Sequence, residues 1–282
     1  VVAVTPESAA YAAQYLRDTD RDRYLATLVL DPKPREAITA LYAFSADVAS
    51  VRDRAREPAA GEIRLQWWAD ALTGEGHGNV RQNPLAEALL DVIGEYGLPV
   101  PPLSRLITAR RFDLYQDPMP NLATFEGYAG ETVSALYQLA AMILNGGRPV
   151  ETGDAAGHLG VAHALTGHLR AFGFNASRGR IFLPWDVFAT CGVKEADVFA
   201  GVASEGLSIA LTRLAAISVE HLQKAAAAIA ILPKPVRPVF AAAAILRAQL
   251  ARLDFESPFQ TPRDVADWQK IARLALWRLR NA

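Results

Sequence analysis

Cysteine is all but missing from this 282-residue chain. The single Cys191 excludes an intramolecular disulfide framework and fits a reducing compartment, or a periplasmic protein without bridges, with the cytoplasm the simpler expectation. An excess of one charge is missing too. Lys plus Arg number 29 against 30 Asp plus Glu, so no global basic field recruits nucleic acid, although a local basic cluster can still act on a small anion. The opening residues lack a basic stretch followed by an apolar core, so no signal peptide is read; a mature chain that has lost one is the other reading. The most apolar runs, 225–232 and 240–246, stop well short of the roughly 20 residues a bilayer span requires. Peripheral contact, at the inner face of the membrane, is the membrane association left open. Low-complexity linkers and repeats of solenoid length are absent, and the alternating pattern of half-buried strands is nearly so.

What is present is helical periodicity. Hydrophobic residues make up 51% of the chain, enough for a sizeable core, and they recur at spacings of three and four almost throughout. The pattern predicts an all-α chain, one domain over residues 1–282, with helices near 7–29, 34–56, 60–73, 83–96, 102–116, 123–144, 152–172, 205–231, 235–253 and 263–280. Pro32, Pro34, Pro58, Pro101, Pro102, Pro184, Pro233, Pro235 and Pro258 fall between these segments, as does the turn of Gly74, Gly76 and Gly78. Segments 38–50 and 157–172 are apolar over a wide arc and belong in the middle of a bundle, which can enclose a cavity.

One local absence carries the functional question. Arg170, Arg178 and Arg180 surround a glycine turn suited to phosphate chemistry, yet no carboxylate lies between Leu169 and Trp185.

Residues 24–58, YLATLVLDPKPREAITALYAFSADVASVRDRAREP, and 158–193, HLGVAHALTGHLRAFGFNASRGRIFLPWDVFATCGV, together resemble the squalene/phytoene synthase family of all-α head-to-head prenyltransferases. Arg64–Trp68 and Tyr128–Thr132 extend the likeness. The resemblance implies a single-domain, isoprenoid-synthase-type helical bundle around a central cavity. In that family two aspartate-rich motifs on facing helices bind magnesium ions that hold the substrate diphosphate; carboxylates four residues apart share a helix face and can share a hard cation. The first motif falls on Ala49, Ser50, Val51, Arg52 and Asp53, and only Asp53 keeps its carboxylate. The second falls on Ala171, Phe172, Gly173, Phe174 and Asn175, and keeps none. Asp53, Asn175 and Tyr42 are thus residual motif positions. Ionising a prenyl diphosphate depends on the metals, because charge builds on a leaving group that is already anionic. The resemblance therefore implies no catalytic residue, no metal site and no cofactor here, magnesium entering only if other ligands substitute.

Substitute ligands are scarce. Asp53 and Glu57 stand four apart but just before Pro58, and Asp18 and Asp22 are interleaved with arginines; both pairs read as solvated faces. His158, His163 and His168 step by five residues, about 140° around a helix, and cannot converge. Arg170, Arg178 and Arg180 keep positions that in the synthases lie near the diphosphate, and guanidinium groups can hold a lipid or prenyl phosphate without metal. The alternative is that they pair with Asp53, Asp186 or helix carbonyls and fasten the bundle.

The alanine in Leu-Arg-Ala, followed by Ser-Arg-x-x-Ile-Phe-Leu-Pro-x-Asp, and the Arg-x-Gln-Trp-Trp run look like the mitochondrial complex I assembly factors of this family and their bacterial relatives. That likeness implies a non-catalytic protein whose partners are complex I subunits or assembly proteins, with an isoprenoid or phospholipid as the expected ligand. A magnesium-dependent head-to-head prenyltransferase acting on farnesyl or geranylgeranyl diphosphate is the alternative, and a metal-independent lipid carrier using the arginines is the third.

Trp67 and Trp68 cannot face the same way on a helix, so one enters the core. In the last segment Trp268, Ile271, Ala275 and Leu279 share an arc, which is expected to close the bundle, lying on an anionic membrane being the other reading. Cys191 is expected to be a buried thiol.

Overall fold

The computed structural model describes residues 5–76 and 78–281, and every regular element among them is helical. Helix α1, Pro6–Thr19, starts where the Thr5 hydroxyl accepts the Ser8 N–H. The helix expected over 7–29 breaks at Asp20, whose φ of −139° and ψ of 77° leave the helical region. Its own N–H closes α1 on Leu16, while its carboxylate caps α2, Arg21–Thr27, by accepting the Arg23 N–H. Asp18 and Asp22 therefore lie on different helices and share no face.

Helix α3, Pro32–Arg54, is buried at every residue from Ala37 to Ser45, as befits a bundle's central member. It ends at Arg54, with Ala55 already extended, and Glu57, held extended by the ring of the following Pro58, becomes the N-cap of α4, Pro58–Thr73. Asp53 and Glu57 thus do not share a helix either. On α4, Trp68 is buried and donates its indole N–H to Asp47 at 2.8 Å, while Trp67 stays half-buried and meets it edge-on.

Helix α5, Pro84–Tyr96, is capped by Asn83, and α6, Val100–Arg110, yields to a 3₁₀ turn over Arg111–Leu114 sooner than its periodicity predicts. Helices α7, Leu122–Ala129, and α8, Ala135–Leu144, are continuous through a π-helical stretch at Gly130–Ser134. Helix α9, Gly153–Arg170, ends at Ala171 and is followed by the short α10, Phe172–Ala176. Two more short helices, α11 (Trp185–Thr190) and α12 (Glu195–Phe199), fill a stretch for which no helix is expected. Cys191 caps α11 and is half-buried, not buried. The long α13, Glu205–Ile231, leads into a 3₁₀ segment at Lys234–Ala242. Pro235 and Pro238, which lack an N–H, account for that segment. Helices α14, Ala243–Leu250, and α15, Asp267–Asn281, complete the chain.

One continuous hydrophobic core runs from Ala12 to Leu274. Helix α3 packs against α1, α4, α5 and α8, and α9 lies between α13 and the π-helical stretch. The last approach is close: a Cβ on Gly160 of α9 would stand 2.7 Å from the Ser134 nitrogen. Helix α13 is long and apolar enough, by length and composition, to cross a membrane. Here it buries Leu207, Leu211, Leu214, Ser218, Leu222 and Ile229 against the bundle.

Helix α15 corrects an expectation. It closes the bundle through Lys270 and Leu274, both buried, whereas the predicted apolar arc faces outward: Trp268 is 69% exposed and Leu279 77%.

Candidate functional site

The end of α3 supplies one wall of the site. Ser50 turns its hydroxyl back to the Asp47 carbonyl at 2.7 Å, and Ala49 offers only a methyl group. Asp47, two residues and about 200° earlier on the helix, faces away toward α1 and α4. There its carboxylate accepts the Tyr15 hydroxyl, the Trp68 indole and Arg54, at 2.8, 2.8 and 2.7 Å. That leaves Asp53, the retained motif carboxylate. Arg178 and Arg180 each approach it to 3.7 Å, and Arg52 to 3.5 Å.

The turn after α9 supplies the facing wall. Asn175 is buried, and its carbonyl accepts the backbone N–H groups of both Arg178 and Arg180 at 3.0 Å, folding the chain over Gly179 at φ +68°. A positive φ suits glycine, and this hairpin aims the two guanidinium groups back at Asp53. Phe172 enters an aromatic cluster with Phe188 and Phe259, and a side chain on Gly173 would collide with the Phe259 carbonyl. Phe174 is half exposed, with the Arg178 guanidinium stacked 3.8 Å from its ring centre. The second motif therefore contributes hydrophobic packing and a turn in place of oxygen ligands.

The structure divides the three arginines expected together. Arg170 reaches Asp22 at 3.3 Å and Asp264 at 2.9 Å, away from the Asp53 cluster. Lys270 joins the same two carboxylates at 2.5 and 2.6 Å, and Gln249 donates to Asp22 at 2.5 Å. Burial alone would lower the Lys270 pKa, but its hydrogen bonds to Asp22 and Asp264 outweigh that and raise it. Asp264, likewise opposed by burial, is held below the ordinary carboxylate range by Lys270 and Arg170.

A second buried polar group lies behind Asp53. Asp113, 1% exposed, accepts the Tyr128 hydroxyl at 2.7 Å and Arg110 at 3.0 Å, while Arg110 also donates to the Tyr128 oxygen at 2.6 Å. Burial first, then Asp113, pushes the Tyr128 phenol far up, against the opposing pull of Arg110. Arg52 stacks 4.6 Å from the Phe182 ring centre and points toward Asp113 at 3.9 Å. His168 sits among Phe125, Tyr128 and Phe182, held neutral by burial and by Arg52 and Arg110. None of this cluster follows from periodicity; the sequence signals are an Arg-Arg-Phe-Asp run that starts at the last residue of α6 and the Tyr128–Thr132 stretch. The other two histidines of this helix diverge, as their five-residue spacing requires: His163 meets the Tyr137 hydroxyl at 2.8 Å and His158 meets His221 at 3.1 Å.

Tyr42, buried with its pKa pushed up to about 12 by burial, stands under the Arg23 guanidinium. With Tyr137, Leu30 and Val239 it borders an interior space of only about 10 Å³. Across Arg23 a second pocket of about 200 Å³ reaches His163, Gly167 and Arg170. Both are below the roughly 300–1,000 Å³ of ordinary ligand pockets. A cleft of about 510 Å³ opens on the other side of Phe172, between Leu211 and the 252–263 segment.

A magnesium cluster requires several carboxylate oxygens converging from both walls. Ala49, Ser50, Ala171, Phe174 and Asn175 cannot provide them, and Asp53 is already shared among three arginines. Among the described residues no group of three or more His, Cys, Asp or Glu side chains is placed to hold a metal ion. The residues present do not fit the metal cluster of the synthases.

Fold and site together define an all-α isoprenoid-synthase bundle in which arginines pair with the one carboxylate left at the motif positions and the facing turn carries aromatic packing in place of acids. The chain belongs to the squalene/phytoene synthase family, whose model matches residues 16–272. It is 28% identical over 254 residues to NADH dehydrogenase (ubiquinone) complex I, assembly factor 6, of Rattus norvegicus, covering 89% of this chain and 76% of that one. It is also 30% identical over 184 residues to Phytoene synthase 1, chloroplastic, of Arabidopsis thaliana, covering 63% of this chain and 43% of that one. Its fold matches the crystal structure of a dehydrosqualene synthase in complex with ligand at a TM-score of 0.82 and 22% identity, covering 97% and 96% of the two chains.

Proposed function

We propose that this chain is a non-catalytic member of its family that serves the assembly of respiratory complex I, with complex I subunits or their assembly proteins as partners. The observation that carries the non-catalytic reading is the state of Asp53. The retained carboxylate of the two motifs is flanked by Arg52, Arg178 and Arg180, and the opposite wall offers it no acidic counterpart. Electrostatic stabilisation of a departing diphosphate by metal ions has no ligands to rest on. The partner assignment rests on the likeness to complex I, assembly factor 6.

Arg178 and Arg180 remain candidates for an anionic ligand, an isoprenoid or phospholipid phosphate, in exchange for Asp53. Arg170, bound to Asp22 and Asp264, contributes to that reading only if its own ion pairs open. We place the protein in the cytoplasm, in contact with the inner face of the membrane. Deleting the gene tests the proposal: complex I activity should fall while isoprenoid content stays unchanged. A hydrocarbon defect with normal complex I activity would support instead the magnesium-dependent prenyltransferase reading on farnesyl or geranylgeranyl diphosphate.

A further inference from the structure

Helix α15 is rolled so that its charged side faces the protein. At about 100° per residue, Lys270, Leu274 and Trp277 form the arc against the bundle, and Trp268 and Leu279 stand nearly opposite. The roll is fixed by chemistry: Lys270 is 1% exposed because it bonds to Asp22 and Asp264, and Arg21 holds Asp267 at 2.7 Å. Trp268, Ile271, Leu276 and Leu279 are left in water, between 47% and 77% exposed.

Beside this arc, and joined to it through Leu276, a groove of about 280 Å³ runs between α13, α14 and α15. Leu222, Leu276 and Trp277 give it apolar walls, Arg247, Arg273 and Arg280 reach it from two helices, and no acidic residue lines it. A pocket of three cations over an apolar floor, continuous with an outward apolar helix face, matches one kind of partner: a surface that is anionic above and hydrocarbon below. A second copy docking symmetrically would set the arginines against their own kind. A nucleic acid would leave the Trp268 and Leu279 arc unmatched.

We propose that this face is a docking surface for an anionic phospholipid membrane, in which the groove takes a headgroup phosphate and the outer arc of α15 lies at the acyl boundary. This does not rest on the assembly role.

The test is sedimentation of the full chain with vesicles of phosphatidylcholine alone and with roughly a quarter phosphatidylglycerol. Binding should appear with the second, release as salt rises, and shift Trp268 emission to shorter wavelength, a shift that W268F removes. R247Q/R273Q/R280Q should weaken anionic-vesicle binding by about 100-fold. R247K/R273K/R280K should retain it, which separates charge from folding. Equal sedimentation with both vesicles, or an unchanged glutamine variant, would each overturn the proposal. So would a salt-sensitive dimer in light scattering whose vesicle binding is nil.

Discussion

Lys270 Nζ lies 2.5 Å from Asp22 Oδ1, tying α15 to α2 across 248 residues, and the same nitrogen is 2.6 Å from Asp264 Oδ2. A buried ammonium held by two carboxylates is costly to disrupt singly, since removing one partner leaves charge behind. Lys270→Met should destabilise the chain by about 2–3 kcal/mol, less than an isolated buried pair because Arg170 and Gln249 still serve Asp22. Urea unfolding measures this; no loss of stability would show that α15 is held by its apolar contacts. The folded Lys270 pKa is raised, so its contribution is complete below the ordinary lysine range and is lost as pH rises through the folded value. The Asp264 pKa is lowered, so its contribution is present above the ordinary carboxylate range and is lost as pH falls through the folded value.

Asp53 decides whether the arginine turn is available. With Asp53 occupying Arg178 and Arg180, inorganic pyrophosphate should bind weakly, and Asp53→Asn should tighten it by at least about tenfold by freeing both guanidinium groups. The stability cost should stay near 1 kcal/mol, because the carboxylate is 40% exposed. Calorimetric titration reads the affinity, and an unchanged constant would mean that the arginines are not directed at an anion.

His163 and His168 are both held well below the ordinary histidine pKa. Burial is the main cause in each, with Arg23 and Arg170 assisting at His163, and Arg52 and Arg110 at His168. The unfolded chain takes up these protons near pH 6.5 while the folded chain does not, so stability falls as pH drops below that point, each group adding at most about 1.4 kcal/mol per pH unit. Melting temperatures from pH 8 to 5 should show the decline, and His168→Phe should flatten it. An unaltered slope in that variant would contradict the assignment.

Gly160 marks the contact of α9 with the π-helical stretch. Gly160→Ala would place a methyl group against Ser134 backbone atoms that cannot rotate away. Overpacking of this kind costs about 1–3 kcal/mol. Ordinarily alanine would favour a helix interior by up to about 1 kcal/mol, so a stabilised variant in thermal unfolding would show that the two elements have room to separate.

The all-α architecture was legible in apolar spacing, whereas the shortage of carboxylates at 49–53 and 171–175 gained meaning only once the family resemblance marked those positions as motifs. Local dihedrals were less so. Asp20 breaks a continuous pattern because a short acidic side chain caps the next helix as well as it fits within one. The roll of α15 went against the preferred reading: amphipathicity places Trp268 inside, but one lysine with two distant carboxylates reverses the face, and no local pattern encodes partners at residues 22 and 264. The separation of Arg170 from Arg178 and Arg180 is hidden for the same reason, because its partners lie 148 and 94 residues away. Arg110 and Asp113 pair locally at a spacing of three, but Tyr128 joins them only through tertiary contact.

Incubating purified protein with farnesyl diphosphate, magnesium and NADPH, and extracting for hydrocarbon, addresses the heart of the account. With Asp53 paired to arginines and no facing acids, the extract should hold no squalene-type product and the substrate should be recovered intact. Steady, magnesium-dependent turnover to a hydrocarbon would mean that oxygen ligands are recruited from elsewhere in the chain, and would contradict it.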